Sequence, residues 1–132
     1  MSRSESATPL GKVRGLGPAG HGGHHWLEER FTSVSLVFLT LWLTISLLML
    51  PVLDYGTLTE WLGSAWGAIP MALLIVTAFK HGLDGLKVVV DDYVHDEGTR
   101  IGTHFFLTMA AIAGASTALF ALAKIAFGAS AA

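Results

Sequence analysis

Residues 31–53, FTSVSLVFLTLWLTISLLMLPVL, form an unbroken stretch without a single charged side chain. About twenty apolar residues rising 1.5 Å each cross a hydrocarbon core of about 30 Å, so this stretch reads as a membrane-spanning helix. Trp26 ahead of it suits the interfacial belt, and Pro51 falls late enough to end the helix without kinking its middle. A second span is predicted over 64–90: its first half, WGAIPMALLIVTAF, is wholly apolar, and Pro70 lies within the first two turns, where a missing N–H costs least. A third is predicted over 101–127, with Ala110, Gly114 and Ala118 at the every-fourth spacing that lets membrane helices approach closely. The hydrophobic fraction of 52%, the charged fraction of 14% and the mean hydropathy of +0.59 agree. The fold class is therefore all-α, an integral membrane protein with three transmembrane helices.

Residues 1–23 are rich in Ser, Gly and Pro and have no apolar run, so they read as a flexible segment ahead of a three-helix membrane domain at 24–132. They also lack the apolar core and cleavage site of a secretory signal, which leaves the first span uncleaved. The connection at 54–63 has no Lys or Arg, whereas Arg3, Lys12, Arg14 and Arg30 precede the first span and Arg100 precedes the third. The positive-inside rule then puts the amino terminus and the polar turn at 91–100 in the cytoplasm. In that turn Gly98 offers a break between helices. Lys124, near the outer end of the third span, can snorkel to the interface.

A net charge of −2 with scattered basic residues gives no nucleic-acid footprint. The absence of cysteine excludes disulfides, thiolate-held iron–sulfur clusters and Cys-based zinc sites in this chain. Any metal or haem must be held by histidine, methionine or carboxylate.

The unusual stretch is 79–93, FKHGLDGLKVVVDDY, because ionisable groups inside a membrane need a partner or a function. On a helix turning about 100° per residue, Asp84, Gly85, Val88 and Asp92 fall on the same side as His81. Lys80 with Asp84, and Asp84 with Lys87, can pair along the helix. His81 is either hydrogen-bonded to another span or water, or an axial ligand of haem iron. Gly82 and Gly85 leave room for a flat macrocycle or for a neighbouring helix. His104 cannot share an iron with His81: it opens the antiparallel third span, while His81 lies about 18 Å along the helix from Tyr93. A second haem ligand would then come from another chain. Arg30 either snorkels or pairs with an anionic group such as a haem propionate. Tyr93, beside Asp91 and Asp92, is either a belt tyrosine or a phenol that donates to a quinone carbonyl. His21, His24 and His25 have no regular metal-ligand spacing and read as a solvated cluster.

The spacing His81, Gly85, Asp92, Tyr93, joined to three spans and to HHWLEERFTSVSLVFLTLWL with Arg30 ahead of Thr32 and Ser33, resembles the hydrophobic membrane anchor subunit of succinate dehydrogenase, respiratory complex II. The resemblance runs over about residues 24–127. It implies that His81 is an axial ligand of a haem b shared with a second membrane subunit, that Arg30 lies near the haem propionates or the quinone, and that Tyr93, with Asp92 as neighbour, hydrogen-bonds ubiquinone. It implies as partners a flavoprotein subunit, an iron–sulfur subunit and a cytochrome b subunit, in the bacterial inner membrane, with succinate chemistry located on those partners. Lys80 and Asp84 depart from the family pattern. Two other readings stand beside it: the anchor of a fumarate reductase, and a cofactor-free structural or assembly subunit.

Overall fold

The computed structural model describes residues 19–128, with side chains from Trp26 onward. All the elements it contains in that range are helices: α1 (Ala19–Met49), α2 (Tyr55–Gly63), α3 (Ala65–Tyr93) and α4 (Glu97–Gly128). Two of them, over Trp26–Met49 and Glu97–Gly128, are long and apolar enough to cross a membrane; α2 and α3, bent by 87° at their break, are apolar enough together and make a third where the pair acts as one span. Of the segment expected to be flexible, residues 1–18 lie outside the described residues, and 19–23 form the first turn of α1.

The helix ends follow local chemistry. α1 stops at Met49, ahead of Pro51, because proline disfavours helical backbone in the residue before it. The connection predicted over 54–63 is itself mostly helical: Asp54 accepts a 2.7 Å hydrogen bond from the Thr57 amide and so caps α2. Ser64 then serves twice, closing α2 through its amide and capping α3 by accepting from Gly67 N at 3.1 Å. Gly67 is required at this elbow, since a Cβ there would lie 2.1 Å from the Trp61 carbonyl oxygen.

The polar turn is shorter than the sequence suggests. α3 continues through Asp91 and Asp92 to Tyr93, and α4 resumes at Glu97, leaving residues 94–96 between them. Gly98 is not the break; it sits in the first turn of α4, and Asp96 makes the boundary by accepting from the Thr99 amide at 2.8 Å and the Thr99 hydroxyl at 2.7 Å. An Asp at this position satisfies donors that the helix leaves free, which is a stronger start signal than glycine is a stop signal.

α3 is the central element. α1 and α4 each pack on it, and no Cα of α1 comes within 8 Å of α4. On the α4 side the small-residue spacing works as predicted: a Cβ on Gly114 would lie 2.6 Å from the Phe79 ring, so the aromatic side chain occupies the space that glycine leaves. α2 folds back over α3 and α4, and Trp61 reaches across to stack on Trp42 of α1 at 5.6 Å between ring centroids. Leu122 is the one buried apolar side chain among the described residues, and Asp84 the one buried charge. Large apolar side chains such as Phe31, Val37, Phe38 and Leu48 are exposed instead, as suits a bundle solvated by lipid tails.

Candidate functional site

The polar half of α3 meets the polar beginning of α1. Thr32 Oγ1 lies 3.1 Å from His81 Nδ1. One residue back along α3, the Lys80 ammonium pairs with the Asp84 carboxylate and reaches Glu28 of α1 at 3.8 Å. The antiparallel register of α1 and α3 is what brings these two connections side by side. It also accounts for the two charges that the sequence left unexplained. Asp84 does not share the open side of His81; it is buried, 9% exposed, and holds Lys80.

This register also sets where the histidine lies along the bundle. Thr32 is about 20 Å from the start of α1 and about 26 Å from its end, and His81 is about 24 Å from the start of α3 and about 18 Å from its end, so the two meet near the middle of both helices.

Beside His81, α1 and α3 leave a concavity of about 380 Å³, lined by Glu29, Arg30, Ser33, Val34, His81, Gly85 and Val88. An ideal Cβ on Gly85 would meet nothing within 4 Å, so the helix surface beside the imidazole is open there, whereas Gly82 opens onto the groove between α3 and α4 with Phe79 and Ala111. Arg30 is exposed at the rim, its guanidinium 5.2 Å from the Trp26 ring centroid, a cation–π contact that holds it beside the opening. With an imidazole on the wall, room where glycine replaces a side chain, and both a carboxylate, Glu29, and a cation, Arg30, in the lining, this arrangement can accept a flat, largely apolar group whose anionic substituent is turned to the Arg30 side.

The structure thus brings His81 and Arg30 together, as two of the four predicted site residues. Asp92 and Tyr93 lie at the end of α3, outside the concavity, with Tyr93 78% exposed. His104 turns to the other connection: its Nε2 is 3.2 Å from Asp91 Oδ1, off the line of a hydrogen bond, and Arg100 Nε is 3.9 Å from the same oxygen. Asp91 ties α4 to α3 there, and His104 has no part in the His81 concavity. Two residues of the site, Thr32 and Glu28, went unassigned in the sequence because cross-helix register decides their role. Among the described residues no three His, Asp or Glu side chains gather as a metal site; His21, His24 and His25 lie outside the described side chains.

Comparison with known proteins agrees with this architecture. The sequence model of the succinate dehydrogenase/fumarate reductase transmembrane subunit family matches residues 4–123. The succinate dehydrogenase hydrophobic membrane anchor subunit of Paracoccus denitrificans is 29% identical over 122 residues, covering 92% of this chain and 94% of that protein. The subunit of the same name from Rickettsia bellii is 32% identical over 83 residues, 63% of this chain and 66% of its own length, so the chain spans just under two thirds of that relative. The Rickettsia conorii subunit is 29% identical over 84 residues, 63% of this chain and 67% of that protein. These similar proteins are bacterial membrane subunits. With most of its length matched, this all-α integral membrane protein is a membrane anchor that belongs to the succinate dehydrogenase/fumarate reductase transmembrane subunit family.

Proposed function

We propose that the chain is the anchor subunit of a succinate:ubiquinone oxidoreductase, with its amino terminus cytoplasmic in a bacterial inner membrane, holding a haem b jointly with a second membrane subunit. The observation that carries this reading is the His81 imidazole on the wall of the same concavity as Arg30 and Gly85. His81 would be the axial ligand supplied by this chain, and Arg30 would pair with a propionate at the rim. When bound, haem supplies one-electron chemistry. The chain's own contribution is to orient the group, shield it on one side with α1 and α3, and neutralise its anionic edge.

At the end of α3, Tyr93 would donate its phenolic proton in a hydrogen bond to a ubiquinone carbonyl, with the Asp92 carboxylate beside it. The exposure of both residues leaves them available to a site completed by other chains. A flavoprotein and an iron–sulfur subunit would oxidise succinate and deliver electrons to that site, and the opposite haem ligand would come from the cytochrome b subunit.

A reduced-minus-oxidised optical spectrum of the purified complex tests the ligand assignment. The wild type should show a b-type haem signal that His81→Ala abolishes. A haem signal unchanged in His81→Ala would remove His81 from the site. In a cofactor-free anchor the same Thr32–His81 contact would be no more than a hydrogen bond between two helices. A wild-type complex without haem would establish that reading.

A further inference from the structure

Thr32 has one hydroxyl proton and two acceptor lone pairs. Its Oγ1 lies 3.1 Å from the Glu28 carbonyl oxygen, 3.0 Å from that of Glu29 and 3.1 Å from His81 Nδ1. A carbonyl oxygen can only accept. The contacts along α1 and the contact to α3 are satisfied together in a single arrangement: Thr32 donates its proton to the backbone of α1, and His81 donates Nδ1–H to Thr32 Oγ1. We infer that Thr32 is a positioning residue that fixes His81 as the Nδ1–H tautomer, leaving the Nε2 lone pair bare for a metal ion.

The inference rests on the haem reading above and adds what selects the ligating nitrogen. A neutral imidazole binds iron through the nitrogen that lacks a proton, and a hydrogen bond from the other nitrogen fixes the ring and raises its basicity. The selecting group stands on a different helix from the ligand. His81 is also half-buried beside open space at Gly85, which gives its ring no lateral support. The Thr32 hydroxyl is therefore a contact that restrains ring rotation. A more basic imidazole stabilises the ferric state, so the hydroxyl should also hold the haem potential down.

The test compares Thr32→Val, which keeps the shape and removes the hydroxyl, with Thr32→Ser, which keeps the hydroxyl, in the complete detergent-solubilised complex. The readouts are haem content, the electron paramagnetic resonance spectrum of the ferric haem and its midpoint potential. Thr32→Val should shift the resonance spectrum, raise the potential and weaken haem retention by roughly 10- to 100-fold; Thr32→Ser should retain all three wild-type values. Thr32→Val matching the wild type, or Thr32→Ser sharing the defect, overturns the role of the hydroxyl while leaving His81 as ligand. If Thr32→Val assembles without haem, recovery in Thr32→Ser supports the inference and failure to recover overturns it. Haem retained in His81→Ala overturns the ligand reading itself, and the role of Thr32 with it.

Discussion

The ion pair between Lys80 and Asp84 should be strongly asymmetric when its members are removed singly. The Asp84 side chain is 12% exposed and that of Lys80 48%. Lys80→Met leaves a carboxylate shielded from water with its ammonium gone, and an uncompensated buried charge costs about 3–5 kcal/mol. The low end, about 3 kcal/mol, applies here because the pair is open to solvent on the lysine side. Asp84→Leu instead leaves a lysine that is half-exposed and already 3.8 Å from Glu28, at a cost of about 1 kcal/mol. The double variant puts two apolar side chains between packed helices and should lie within about 1 kcal/mol of the wild type. The cycle then yields a coupling of about 3 kcal/mol. Equilibrium unfolding of the complex in mixed micelles measures all four corners. Asp84→Leu costing more than Lys80→Met, or a double variant as unstable as the sum of the singles, would refute the argument from burial.

The remaining predictions concern the exposed ends of the helices. Tyr93→Phe should slow ubiquinone reduction by about tenfold, the worth of one well-placed hydrogen bond, while succinate oxidation with an artificial acceptor persists; equal loss of both activities would indicate failed assembly instead. The Thr99 hydroxyl and then the Thr99 amide hold the Asp96 carboxyl below its usual range. A lowered folded value means a contribution to stability that is complete above the ordinary Asp pKa of about 3.9 and lost as pH falls through the folded value. Amide exchange in the first turn of α4 should therefore be independent of pH at this cap from neutrality down to about 4, once corrected for intrinsic rates, and accelerate below it; fraying that begins near pH 6 would exclude Asp96 as the cause.

The three apolar segments were legible because hydropathy and length act within one helix, and Pro51 and the Gly114 face announce their roles in the same local way. The pairing of Lys80 with Asp84 was legible for the same reason, being one helical turn. What stayed hidden depends on how two helices slide past each other. Glu28 reaches Lys80, and Thr32 reaches His81, only in the observed register, and no periodicity within either segment encodes it. That His81 meets the middle of α1 is a consequence of that register. The α2 elbow was hidden differently. Asp54 and Thr57 are a good cap, yet a nine-residue helix has too few turns for its apolar pattern to stand apart from a connection.

The central position of α3 has a consequence for biogenesis. The chain is made from the amino terminus, so α1 leaves the ribosome before the helix it packs on exists. Its Thr32 waits for a partner 49 residues later in the chain, and Glu28 for one of similar delay. Until then α1 must hold its place through its own apolar length and interfacial Trp26 and Arg30, without help from neighbours. α4 emerges after α3 is complete and meets a finished surface, with Phe79 in position to receive Gly114. The first helix is thus the one whose insertion has to be self-sufficient, and the last is the one that can rely on templating.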